Sequence, residues 1–166
     1  MKQLNHKNYL QMNITAKDVN ELRKKTGAGM MDCKKALVES KGDIESAIDF
    51  LRKKGQKIAA KRGDREAKEG LVIAKSSGNS GYIVCLNCET DFVAKNNDFG
   101  NLANSLINLA IDNNSSTIED FMETNYPGSD LSVSAKITEQ SGVIGEKIEI
   151  SAFEKINAEK VVAYNH

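Results

Sequence analysis

Cys88-Glu89-Thr90-Asp91-Phe92-Val93-Ala94-Lys95 joins two different kinds of sequence. Before it, Tyr82 to Leu86 is a short apolar run of strand character. After it, from Asp98, apolar residues recur at helical spacing at Phe99, Leu102, Ala103, Leu106 and Ala110. The stretch therefore reads as the turn where a strand hands over to a helix. An ordinary connection of this kind is small and polar. Here an aromatic ring stands beside a carboxylate. Taken alone, Phe92 reads as a core residue under a loop; left exposed, it would be an anchor for a partner's pocket.

Working outward, the sequence before this turn reads as a hairpin. Leu71 to Lys75 is apolar and partly β-branched, Ser76-Ser77-Gly78-Asn79-Ser80-Gly81 is turn-rich, and Tyr82 to Leu86 is the second arm. A loose loop is expected between them. On the other side, Asp98 is the expected cap of the long helix and Asn113-Asn114-Ser115-Ser116 its end. Thr117 to Asp120 has a capping-box pattern and opens a short helix with Phe121 and Met122. Pro127-Gly128 breaks the chain. Leu131 to Gln140 reads as a helix with Val133 and Ile137 on one face. Glu146 to Ala152 alternates, with Ile148 and Ile150 on one side, and Val161 to Tyr164 is expected as a last short strand. Residues 71–166 are thus predicted to form an α+β domain on a small antiparallel sheet.

The first third of the chain reads differently. Thr15 and Asp18 form a capping box, followed by Val19 and Leu22, and Thr26-Gly27 closes the helix. Gly29 to Ser40 carries a second helix with Cys33, Ala36 and Leu37 on one face. Asp43 caps a third, in which Ile44, Ala47, Ile48 and Leu51 recur at i, i+3, i+4 and i+7. Residues 14–54 are therefore expected to be a compact three-helix module. The leading residues 1–13 are read as a disordered extension; they lack the ~7–15-residue apolar centre of a signal peptide. No apolar run approaches the ~20 residues that span a bilayer, so no membrane partner and a cytoplasmic location are expected.

A net charge of zero conceals a polarity. Residues 1–65 hold 16 Lys/Arg against 8 Asp/Glu, whereas the remainder holds 7 against 15. The sign changes just after residues 52–65, RKKGQKIAAKRGDR, which carry seven of those basic residues. This tract is read as a solvated linker or helix extension, with a linker domain boundary at 55–70. As a nucleic-acid patch it would work through phosphate contacts, but it holds no aromatic residue for base stacking.

No catalytic set is apparent. The histidines are His6 and His166, at the two extremities, and no Ser or Cys sits in a triad-like context. No phosphate-binding glycine loop is present. Cys85 and Cys88 are spaced as in metal sites, but no second pair completes a closed zinc shell, and strand geometry sends them to opposite faces. With Cys33 they are read as reduced, buried thiols. Neither a metal nor a cofactor is expected. What remains is binding, to which Met30 and Met31 contribute at a glycine-rich helix start. Adjacent helical residues cannot share one direction, so one is expected to pack inward and one to face solvent.

Two motifs, Thr26-Gly27-Ala28-Gly29-Met30-Met31-Asp32-Cys33-Lys34-Lys35-Ala36-Leu37 and the Cys88 to Lys95 stretch with Asn96, resemble bacterial-type translation elongation factor Ts. That family is the guanine nucleotide exchange factor of elongation factor Tu. The resemblance covers roughly residues 14–166, with both motifs in the family's order. It implies that the three-helix module is similar to the ubiquitin-associated fold, and that the protein is no enzyme in the bond-making sense. It implies further that Asp91 and Phe92, flanked by Thr90 and Val93, press against the partner's nucleotide domain. Contacts elsewhere are implied at Arg23, Met30 and Met31. A third is implied in a Lys-Ile-Gly context, matched here to Lys136-Ile137 with Thr138 in place of the glycine, and a fourth at His166. Family members commonly continue past this point, so the chain is read as part of a longer protein or as a short form. In a short form a homodimer could complete the core through an exposed last strand. The alternative reading is an RNA-binding accessory module using residues 52–65, although no direct nucleic-acid contact is implied by the resemblance.

Overall fold

Thr15 opens the first helix as its sequence predicts. Its hydroxyl accepts the Asp18 N–H, and the Asp18 carboxylate accepts the Thr15 N–H at 2.8 Å. The structure is a computed structural model that describes residues 14–164. The expected extension at 1–13 and the site residue His166 lie outside the described residues. The chain divides into two compact units, one ending at Lys53 and one beginning at Lys54.

The first unit contains α1 (Ala16–Thr26), α2 (Met30–Glu39) and the start of α3 (Ile44–Arg62). Gly27 ends α1 in the left-handed region at φ 69°, and its N–H donates to the Arg23 carbonyl. Asp43 caps α3 by accepting the Ser46 N–H at 2.8 Å. The apolar periodicity becomes a small core of Val19, Leu22, Ala28, Cys33, Ala36, Leu37 and Ala47, with Ile44, Ile48 and Leu51 packed around it. α3 does not stop with this core. It continues to Arg62, so residues 55–62 are helix rather than an irregular connection.

The second unit is built on three antiparallel strands in the order β1-β2-β3: β1 (Glu69–Ser77), β2 (Ser80–Cys88) and β3 (Glu149–Asn157). The hairpin is tight rather than loose. Ser77 pairs with Ser80, and only Gly78 and Asn79 turn the chain. Gly78 takes φ 57°, which a glycine at the first turn position supplies without strain. The strands extend into the predicted loop because its serines pair across the ladder. β2 is central and alternates cleanly, with Tyr82, Val84, Leu86 and Cys88 buried. On that face lies α5 (Asn97–Asp112), the most amphipathic helix, with Phe99, Leu102, Leu106 and Ile107 turned inward. Its cap is Asn96, which accepts the Asp98 N–H at 2.8 Å, not Asp98 itself.

α6 (Ile118–Glu123) and α7 (Val133–Ile144) complete the helical layer. Thr117 accepts the Asp120 N–H and Ser132 the Ala135 N–H, so both starts are capped. Phe121 of α6 stacks on Phe153 of β3 at 5.0 Å between ring centroids. The resulting fold is α+β, a helical bundle followed by helices on a small antiparallel sheet.

The expected last strand is not formed. Residues 161–164 form no strand; Val161 instead lies over Gly81, where a side chain would stand 2.7 Å from its Cγ1. α7 crosses α3 at two glycines in the same unit. A Cβ on Gly142 would stand 2.1 Å from the Gly55 Cα, so the two helix backbones touch.

Candidate functional site

The chain leaves β2 at Cys88 and turns immediately into a single helical turn, α4 (Asp91–Ala94). The connection between strand and helix is therefore itself structured. Val93 and Ala94 pack against the core, whereas Phe92 points outward and is 84% exposed. Its neighbours decide this: a turn that places residues 93 and 94 on the core face sends residue 92 to the opposite side. The core reading of Phe92 is thus incorrect. Asp91 is half-buried and accepts a 2.7 Å ion pair from Lys95, which holds its carboxyl below the usual carboxylate range.

The base of the turn is held from several directions. The Glu146 carboxylate accepts the N–H groups of Glu89 and Thr90 at 3.1 and 3.0 Å, and the Thr90 hydroxyl at 2.6 Å. The Glu89 carboxylate answers by accepting the Lys147 N–H at 2.6 Å and Arg62 Nη1 at 2.8 Å. The Lys147 bond, with Arg62 beside it, holds the Glu89 carboxyl below its ordinary range. The Thr90 carbonyl accepts the Cys88 thiol at 3.2 Å and the Ala94 N–H. Thr90 is the N-cap of α4 yet makes no side-chain cap bond, because its hydroxyl is committed to Glu146. Sequence reading missed this second layer. Glu146 lies 56 residues from Thr90, and a glutamate after a helix-ending glycine carries no distinctive local signal.

The remaining predicted residues are dispersed. Arg23, Met30 and Met31 lie in the first unit and are exposed. Met30 is 57% and Met31 77% exposed, so neither packs inward as expected for one of them. They occupy the first turn of α2, whose core contacts begin only at Cys33. Ile137 is a core residue at 5% exposure, and the Thr138 hydroxyl donates to the Ser134 carbonyl of its own helix. An Ile-Gly pair does stand elsewhere, at Ile144-Gly145, where Gly145 ends α7 at φ 82° immediately before Glu146.

Cys33 and Cys88 are buried, while Cys85 is only half-buried, faces away from Cys88 and donates to Asn87. Burial pushes both the Cys33 and Cys88 thiols up. Among the described residues, no group of three His, Cys, Asp or Glu side chains is placed to hold a metal. Nor is any described helix long and apolar enough to cross a membrane. Within the basic tract, Arg52 pairs with Asp49 and Arg62 with Glu89, so its charge is partly used internally.

A family model described as Elongation factor TS matches residues 89–166, which begin inside this turn. Elongation factor Ts of Christiangramia forsetii is 57% identical over 155 residues, covering 92% of this chain and 55% of that protein. The chain belongs to the elongation factor Ts family. The Elongation factor Ts of Rhodopirellula baltica is 51% identical over 92% of the chain, and that of Amoebophilus asiaticus 52% over 93%. These cover 46% and 56% of the respective relatives. The chain thus spans about half the length of the curated elongation factor Ts proteins it matches.

Proposed function

We propose that this chain promotes GDP release from elongation factor Tu by pressing Asp91 and Phe92 into the partner near its magnesium and nucleotide site. One observation carries the reading: Phe92 is 84% exposed on a turn whose base is bonded to Glu146 and whose Val93 and Ala94 pack against the core. An aromatic ring held in water on a hydrogen-bonded turn, beside a carboxylate, has the form of an anchor for a partner's pocket. The mechanism is linkage. A factor that binds the nucleotide-free partner more tightly weakens nucleotide binding by the same ratio. Full burial of the ring is worth about 1.5–3 kcal/mol. At ~1.4 kcal/mol per tenfold change, that suffices for roughly a ten- to hundredfold shift, provided the contact forms only in the open state. Asp91 adds a charge-assisted hydrogen bond if it exchanges Lys95 for a donor of the partner.

Arg23, Met30 and Met31 supply a second contact from the first unit. The third falls to Ile144-Gly145, beside the turn, rather than to Ile137-Thr138, since Ile137 is buried in its own core. No bond is made or broken by this chain in such a role.

The test is release of labelled GDP from elongation factor Tu. Phe92→Ala should fold normally, because an exposed ring contributes within about 0.5 kcal/mol to stability. It should lose most of the acceleration, on the order of tenfold or more. Full acceleration by a folded Phe92→Ala chain overturns the assignment. Binding to RNA that falls steeply with salt, with no effect on GDP release, would instead favour the basic tract as the working surface.

A further inference from the structure

We propose that Glu146 is the positioning residue of the Phe92 turn, acting with Glu89 and Arg62 as a clamp that fixes the ring's direction. This rests on the exchange reading above and goes beyond it. Two stretches distant in sequence exchange carboxylates for backbone N–H groups. Glu146 takes the N–H groups of Glu89 and Thr90, and Glu89 takes that of Lys147. The exchange is reciprocal, so each stretch fixes the other's backbone through carboxylate oxygens that accept its N–H groups. Arg62, in the last turn of α3, then lies 2.8 Å from both Glu89 oxygens and shares its charge over the pair.

The geometry assigns the clamp to the turn rather than to the fold at large. All three Glu146 bonds end on residues 89 and 90, directly before α4. None reaches the sheet ladder or the apolar core. Thr90 surrenders its ordinary capping bond to α4 in order to donate to Glu146. The helices that deliver the clamp are themselves locked, since α3 and α7 touch at Gly55 and Gly142 in the same unit. Arg62 and Glu146 therefore start from a fixed pair of helix ends. Packing of Val93 and Ala94 sets the side on which the ring stands. The hydrogen bonds at the base of the turn hold the backbone that carries it.

The test compares Glu146→Ala and Glu146→Gln with the unaltered chain and with Phe92→Ala, in GDP release from elongation factor Tu. Glutamine keeps an acceptor for the two N–H groups and can donate to the Thr90 hydroxyl. Alanine keeps nothing. Glu146→Ala is expected to lower the maximal release rate about tenfold, the change that loss of one charge-assisted bond suffices to produce. The concentration for half-maximal release should move less than threefold, and Glu146→Gln should recover most of the rate. Amide hydrogen exchange should speed up at Glu89 and Thr90 in Glu146→Ala and stay slow in Glu146→Gln.

In a Phe92→Ala background, Glu146→Ala should have no further effect, because the clamp works through the ring. Equal, additive losses in both backgrounds overturn the proposal, as does full activity of a folded Glu146→Ala chain. Should Glu146→Ala not fold, Thr90→Val, which removes one of the three bonds, carries the same comparison. The two readings fail separately. A fully active Phe92→Ala chain removes the exchange wedge itself; a slow Phe92→Ala with a fast Glu146→Ala removes only the clamp.

Discussion

Replacing Gly142 by alanine tests whether the second unit depends on the backbone contact between α3 and α7. Both Gly55 and Gly142 lie within helices, so alanine at either gains about 0.5–1 kcal/mol in helix preference. Space then separates them. At Gly55 the added Cβ would stand 3.5 Å from the Gly142 Cα, an ordinary contact. At Gly142 it would stand 2.1 Å from the Gly55 Cα and 2.9 Å from the Gly55 carbonyl carbon. Both obstacles are backbone, so no rotamer change relieves them and one helix must move. Overpacking of this kind costs about 1–3 kcal/mol, and a backbone obstacle places it at the upper end. Gly55→Ala should therefore be neutral or stabilising by up to about 1 kcal/mol, and Gly142→Ala destabilising by roughly 1–2 kcal/mol after its helix gain. Urea unfolding at pH 7 with a common slope measures the two. Under the exchange role proposed above, Gly142→Ala should also slow GDP release, because α7 and its cap Gly145 lead directly into Glu146. Equal stability of the two variants would refute the argument that the crossing is backbone-limited.

Two further outcomes follow from the site. The Glu89 carboxyl is held down chiefly by the Lys147 N–H, with Arg62 assisting, so its contribution is complete above the ordinary glutamate range and fades as pH falls through its lowered folded value. Glu89→Gln should accordingly be less stable than the unaltered chain at pH 7, and the difference should close as pH is lowered through 4 toward 2; a gap that is constant with pH would exclude the ionised clamp. Alkylation of the native chain at neutral pH should modify Cys85 first and leave Cys33 and Cys88 intact, because the latter two are buried and their thiols pushed up. Peptide mass mapping reads the order, and early modification of Cys88 would contradict its burial beneath the turn.

The sequence alone determined the helices of the first unit and the α+β character of the second. The Thr15-Asp18 cap, the Leu22, Cys33 and Leu37 faces and the Phe99 to Ala110 stripe are local patterns, and local patterns fix element type. It also singled out residues 88–95, because an aromatic in a turn is visible without coordinates. What it could not decide was where that ring points. Phe92 is outward because Val93 and Ala94 are claimed by a core assembled from α5 and the sheet. Both methionines are outward because the contacts of α2 begin only at Cys33. The failed last strand turned on Val161 meeting Gly81, a residue distant in sequence, whereas the tight hairpin turned on the local pairing of Ser77 with Ser80. Glu146 shows the limit most plainly. Its three bonds span 56 and 57 residues, and its place beside Thr90 exists only once α7 has packed and brought its end to the turn.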